Sequence, residues 1–500
     1  MLLTLALPAL LAFQSARTPA RPAARAKKPV RTAAASRSIA FTRPAGTESL
    51  ASDLSAMMGQ AMRSGKWGAI VVSLSHGDTL FRRDADASLL PASTMKLFTS
   101  AVALDRLGAG GTLRTEVFRT ATIGNDGVLH GDLVLRGAGD PTLSARAPED
   151  SSEPPMIALA RQIADAGVRR VTGAIVGDAS AFEDRRVPDG WRNRYLGASY
   201  AARVSALSFN ENKLGVLVRP FSGRAEISFR PAISGVPISN EVQVVAGKRG
   251  SKIGVSEDAV SGRLRVTGWI GSLSKERDYQ IMVERPELLA AGALRAALTA
   301  RGVIVEGAVR AATAPGDATR LAFVTSPPLE RIIAQMNGES NNHFAELLLR
   351  SAARDVGVVG SAENANTLMR RFLYEKADVE PMSVFAADGS GLSTLDRVTP
   401  RAMVQLLGYA RKAPWGPVLE QSLPVAGETE TLRYRMRNTP AMGNLHAKTG
   451  TTNDVISLGG YVTARDGEQL AFSFIYNGRD RWRAREAIDA MGATMAGFAR

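Results

Sequence analysis

The chain contains no cysteine, which removes disulfides, thiolate nucleophiles and cysteine metal sites from consideration. Histidine is scarce. His76, His130, His343 and His446 are the only four, and no two have the His-Glu-x-x-His spacing that sets two ligands on one helical face, so zinc hydrolysis has no support and no cofactor is called for. There is no Gly-x-Ser-x-Gly elbow: Gly389-Ser390-Gly391 lacks the spacing and reads as a turn, which speaks against a Ser-His-Asp hydrolase. No repeat with a period of 20 to 50 residues is present, so a solenoid or propeller is excluded. The apolar run Leu2 to Phe13 is too short to span a bilayer.

What the N-terminus does contain points outward. Its first sixteen residues carry no charge, and Leu2 to Phe13 fits the apolar core of a signal peptide, predicting export to the periplasm or another extracytoplasmic space. No Lys or Arg precedes that run and Gln14-Ser15-Ala16 is a poor cleavage site, so a retained anchor is the alternative. Residues 17–45 are rich in Ala, Pro and Arg and read as a solvated linker. They hold eight of the basic residues, which leaves +6 of the formal +14 for the rest of the chain. Such a tail suits contact with a membrane surface or an anionic wall polymer. Nucleic-acid binding would need a basic patch interleaved with aromatics on a folded face.

With 45% hydrophobic and 22% charged residues over 500 positions, the chain has a globular composition and a length that suits about three domains. Trp67 to Ser75 reads as a strand, turning at His76-Gly77-Asp78 into Thr79 to Phe81. After Pro91 the pattern becomes helical until the glycines at 108–111. From about Thr112 to Asp317 the chain is strand-rich, with helices at Met156 to Ala166 and Pro286 to Arg301. A helix after Pro327-Pro328 stops at Asn337-Gly338, and another starts beyond Asn342. His446 to Thr451, Ile456 to Thr463 and Gln469 to Tyr476 read as strands, and Arg481 to Phe498 as a closing helix.

Three short patterns can carry chemistry. In Ser93-Thr94-Met95-Lys96, a serine at a helix start has a lysine one turn on, where a desolvated amine can take the hydroxyl proton. Spacing alone does not decide this, since Ser272-Leu273-Ser274-Lys275 shares it but precedes a strand. Ser340-Asn341-Asn342 lies between two helices, where a hydroxyl can relay a proton and the Asn342 amide can hold a substrate carbonyl; Ser208-Phe209-Asn210 has the same spacing. Lys448-Thr449-Gly450 occurs once, inside a strand. There Lys448 adds positive potential, Thr449 offers a hydroxyl to a carboxylate, and Gly450 lets a substrate backbone approach.

In the order helix start, interhelical loop and strand, the three resemble the motifs of the serine penicillin-recognising enzymes. Gly131 to Gly137, Val204 to Ser208, Asp388-Gly389-Ser390-Gly391-Leu392-Ser393 and Leu423 to Gly427 narrow the resemblance to class C low-molecular-mass penicillin-binding proteins, the peptidase S13 family. It implies an α/β (α+β) fold: a transpeptidase-like domain, an antiparallel sheet flanked by helices, from residues 46–111 and 318–500. A β-rich region, 112–317, is inserted between the first two motifs, with a nested subdomain near 213–282.

The 247 positions from Ser93 to Ser340 fit that insertion. The implied activity is D-alanyl-D-alanine carboxypeptidase/endopeptidase action on peptidoglycan stem peptides, with β-lactams as covalent inhibitors. Ser93 would be the nucleophile and Lys96 its base, while Ser340 and Lys448 shuttle the proton and Asn342 positions substrate. The N–H groups of Ser93 and Thr451 would form the oxyanion hole, and Thr449, Gly450 and Thr451 would bind substrate. Asp178 and Phe182 resemble the family's side-chain-recognition segment. Asn341 stands where the family usually has Asp, and Thr394 where relatives commonly have an Arg that recognises the diaminopimelate end; Arg397 lies nearby. A β-lactamase-like hydrolase and a non-catalytic penicillin-binding wall sensor are the alternatives.

Overall fold

The computed structural model describes residues 38–61, 65–147 and 153–500. The expected signal segment, 1–16, and the linker as far as residue 37 lie outside them. Residues 39–45, assigned to the linker from composition, join the folded body: Ile39 is buried, Thr42 N donates to Thr494 Oγ1 at 3.0 Å, and Ala45 bridges to Ala499. No helix among the described residues is long and apolar enough to cross a membrane.

The site is built on a five-stranded antiparallel sheet in the order His446–Thr451, Val455–Thr463, Gln469–Asn477, Lys66–Ser73, Thr79–Arg83. Its central strand shows how sequence dictates burial. Leu470, Phe472, Phe474 and Tyr476 point to one face and pack with the helices Thr47–Ala61 and Arg481–Gly497. Ala471 and Ile475 point to the other, against the helices Met95–Leu107, Asn342–Asp355 and Pro400–Lys412. Alternation with period two therefore yields an almost continuous apolar run, because both faces are covered. Truncating Phe472 or Phe474 to Ala would cost about 3–5 kcal/mol.

Between the two chain segments that build this sheet lies a second architecture. Five strands in the order Val309–Ala311, Ile175–Asp178, Leu133–Arg136, Arg114–Arg119, Thr319–Thr325 form a mixed sheet. The helices Pro155–Asp165 and Pro286–Ala300 share a core with it. Two three-stranded sheets, one of Arg224–Arg230, Lys213–Phe221 and Arg277–Met282 and one of Ile238–Val245, Leu264–Gly271 and Ser251–Glu257, fall within residues 213–282.

Candidate active site

Ser93 sits in a single 3-10 turn, Ala92–Thr94, that runs into the helix Met95–Leu107. That helix is buried on nearly every side from Met95 to Leu104, as a core helix must be. Ala92, just before Ser93, has φ +48°, a conformation unfavourable for a residue with a Cβ and one that surrounding packing must hold. Two glycines supply that packing. A Cβ on Gly391 would lie 1.8 Å from Ala92 O, and one on Gly450 would lie 2.7 Å from Pro91 O and 3.1 Å from Ser93 N. Gly450 is thus also required by close contact with Ser457 and the Pro91 to Ser93 turn.

One turn on, Lys96 is fully buried. Its Nζ donates to Ser93 Oγ at 3.1 Å, Asn342 Oδ1 at 2.7 Å and the Ser390 carbonyl at 2.8 Å. Burial lowers its pKa to about 8, against the opposing pull of Asp388, Glu346 and Asp396, because desolvation disfavours the ammonium.

Ser340 caps the helix Leu329–Glu339 in the left-handed conformation, φ +59°. This helix ends at Glu339, one residue past the stop expected at Asn337-Gly338, and Asn337 is buried, its Nδ2 donating to Ser100 Oγ and Ser422 Oγ. Asn341 Oδ1 accepts from Phe344 N at 3.2 Å and so caps the next helix, Asn342–Asp355. Its Nδ2 donates to Glu211 Oε2 at 3.0 Å, a bond that an Asp could not make. Asn342 is held at both ends, its Nδ2 donating to the Tyr200 carbonyl at 2.9 Å while Oδ1 faces Lys96.

Lys448, fully buried on the edge strand His446–Thr451, donates to Ser340 Oγ at 2.8 Å and to Thr449 O at 3.1 Å. Burial first, and the neighbouring Lys96 second, push its pKa well below the usual lysine range. It is therefore better suited to carry a proton than to act as a fixed cation.

Beneath Lys96 lies a backplate built on the Asp388 to Ser393 segment and, with no local sequence pattern to mark them, Trp191 and Glu346. Asp388 Oδ1 accepts from Ser390 N and Gly391 N, and Oδ2 from Ser393 N and Trp191 Nε1. Glu346 Oε1 accepts from Gly389 N, and Oε2 from Arg350 Nη1. Burial and the nearby Asp388 push Glu346 up to about 7, and burial raises Asp396 well above the carboxylate range.

Ser93 lines a cleft of about 290 Å³ that it shares with Ser340, Thr431, Arg435, Thr449, Thr451, Ile456, Arg481, Trp482 and Arg485. Thr449 Oγ1 donates to Thr431 Oγ1 at 3.1 Å.

The structure brings together Ser93, Lys96, Ser340, Asn342 and the Lys448 strand. Asp178 and Phe182 are engaged elsewhere: the Asp178 carboxylate accepts from Ser180 N and Ala314 N, and Phe182 packs in a cluster with Val204, Ala206 and Leu347. Ser272 and Ser274 lie in a turn, accepting from Gly247 N and Gly250 N. Ser208 Oγ donates to Ser205 O. Thr394 Oγ1 donates to Gly190 O, and Arg397 Nη1 to the carbonyls of Thr394 and Asp396.

Comparison with known proteins bears on the family and the fold. The D-Ala-D-Ala carboxypeptidase 3 (S13) family matches residues 50–497. A D-alanyl-D-alanine carboxypeptidase of Actinomadura sp. (strain R39) is 35% identical over 461 residues, covering 86% of this chain and 81% of its own. The D-alanyl-D-alanine carboxypeptidase DacB of Haemophilus influenzae is 25% identical, covering 88% and 91%. The crystal structure of penicillin binding protein 4 (dacB) from Haemophilus influenzae superposes with a TM-score of 0.72 at 23% identity, covering 87% of this chain and 98% of that one. The fold is therefore that of the penicillin-recognising serine hydrolases with a large inserted domain.

Proposed function

Because the chain belongs to the D-Ala-D-Ala carboxypeptidase 3 (S13) family, we propose that it hydrolyses the D-Ala-D-Ala end of peptidoglycan stem peptides through an acyl-enzyme on Ser93, and that β-lactams acylate the same oxygen. The observation that carries this reading is the pairing of two buried amines with two hydroxyls: Lys96 Nζ with Ser93 Oγ at 3.1 Å and Lys448 Nζ with Ser340 Oγ at 2.8 Å.

A serine hydroxyl is a weak nucleophile until a base takes its proton, and an amine titrating near 8 is a competent base at neutral to mildly alkaline pH. Ser93 Oγ attacks the D-Ala carbonyl while its proton passes to Lys96. The N–H groups of Ser93 and Thr451 face the oxygen on which charge develops. As the intermediate collapses, the C–N bond breaks and the leaving amine takes the proton from Lys96, relayed through Ser340 and Lys448, which leaves Lys96 neutral again. Water then hydrolyses the ester, giving a proton to Lys96, which returns it to Ser93 Oγ as the acid leaves. Asn342, fixed by Tyr200, orients the substrate amide, and Thr449 and Thr451 hold the terminal carboxylate.

We further propose catalytic segments 46–111 and 318–500 around an inserted 112–317 region, and an extracytoplasmic location with the basic tail facing membrane or wall. Asp178 and Phe182 would serve recognition of the substrate side chain from the inserted region. Release of D-Ala from a pentapeptide muropeptide by the wild type, and its loss in Ser93→Ala, is the expected result. Rapid penicillin hydrolysis with an untouched muropeptide would contradict the assignment and favour a β-lactamase; binding of penicillin without any D-Ala release would favour a sensor.

A further inference from the structure

The far wall of the cleft is one face of the closing helix Arg481–Gly497. Trp482, Arg485 and Asp489 follow one another at three and four residues, the spacing that stacks side chains on a single helical face. Asp489 accepts from Arg435 Nε at 2.9 Å, and Arg481 Nη1 donates to the Thr452 carbonyl at 2.8 Å. The helix is thereby fixed against the end of the strand that presents Lys448 to Thr451.

Two side chains on this wall lack an internal use. Trp482 is 75% exposed, an unusual placement for a large aromatic. The Arg485 guanidinium lies 6.0 Å from the Trp482 ring centroid and pairs with no carboxylate among the described residues. Its neighbours Arg483 and Arg435 do pair, with Glu486 and Asp489. An exposed indole beside a guanidinium with no acidic partner, in a cleft that leads to the nucleophile, is suited to an acidic ligand with an aliphatic stretch.

We propose that Trp482 and Arg485 form a subsite for the leaving strand of a cross-linked stem-peptide dimer, the indole covering the methylene chain of the cross-linking diamino acid and the guanidinium binding a carboxylate of that strand. This rests on the reading above, in which Thr449 and Thr451 hold the carboxylate beside the scissile amide. In D-Ala-D-Ala the carbon bearing that carboxylate ends in a methyl group. In a cross-link the same carbon continues as a chain to a second peptide, which extends along the cleft toward Ile456 and Trp482. The bond change is unaltered: the D-Ala carbonyl passes from the amide nitrogen to Ser93 Oγ and then to water, and the second peptide leaves as a protonated amine. The subsite thus sets how strongly a cross-linked dimer is preferred over an uncross-linked stem peptide.

The test is kcat/KM of the full chain, as wild type, Trp482→Ala, Arg485→Gln and Arg485→Lys, on a purified cross-linked muropeptide dimer and on a pentapeptide monomer, with penicillin acylation of each variant as the check on an intact site. The ratio of dimer to monomer kcat/KM should fall about tenfold in Trp482→Ala and in Arg485→Gln, through KM, and recover in part in Arg485→Lys. An unchanged ratio, or an equal fall on both substrates, overturns the subsite while leaving the carboxypeptidase standing. A wild type that releases no D-Ala from the monomer overturns the enzyme assignment and the subsite with it.

Discussion

The indole nitrogen of Trp191 donates to Asp388 Oδ2 at 2.7 Å, across 197 positions of chain. Asp388 gathers the backbone of Ser390, Gly391 and Ser393, and the Ser390 carbonyl accepts from Lys96. Lys96 is therefore held in place from Trp191, through the Asp388 to Ser393 loop. Trp191→Phe keeps the apolar ring and removes the donor, and a hydrogen bond to a buried carboxylate is worth about 1.5–3 kcal/mol. Acylation by penicillin, followed by stopped flow, should slow about tenfold or more while the circular dichroism spectrum stays unchanged.

Lys96 titrates near 8 in its buried setting, and only its neutral form accepts the Ser93 proton. Acylation should therefore rise with pH, steeply below 8 and levelling above it, by about tenfold per pH unit on the acid side. A rate that falls across pH 6 to 8 would show that Lys96 is not the base.

Asn341→Asp keeps a good helix cap but sets a carboxylate against Glu211, where Nδ2 now donates at 3.0 Å. The variant should lose about 1–2 kcal/mol in urea melts at pH 7. Mutual repulsion raises the carboxyl pKa values above their unfolded values, so the penalty is full above those raised values and fades as pH falls through them. Glu211→Gln in the same chain should restore most of the loss at neutral pH.

Gly391 has φ +83°, and a Cβ there would lie 1.8 Å from Ala92 O. Gly391→Ala should destabilise the protein by about 1–3 kcal/mol and slow acylation further than its melting temperature alone explains, since the Ala92 carbonyl precedes Ser93.

Ser93 with Lys96, Ser340 with Asn342, and the Lys448 strand were legible because each lies within a few residues of its partner and in an element that hydrophobic periodicity reveals. Trp191 and Tyr200 were not, since their partners Asp388 and Asn342 are more than a hundred positions away and no local pattern marks them. Glu346 looks solvated in sequence, and only the helix packing buries it. The helices Ala362–Ala377 and Pro400–Lys412 did leave a signal, in their Ser361 and Thr399 caps, that could have found them. Asn337-Gly338 marked the helix end to within one residue, whereas the bonds from Asn337 to Ser100 and Ser422 have no local signal.

The nucleophile is tested most directly by intact-protein mass after incubation with penicillin, with peptide mapping of the adduct, for the wild type, Ser93→Ala and Ser272→Ala. The account predicts one long-lived adduct on Ser93, kept in Ser272→Ala and abolished in Ser93→Ala. A wild type that stays unmodified, or an adduct lost only in Ser272→Ala, would contradict it.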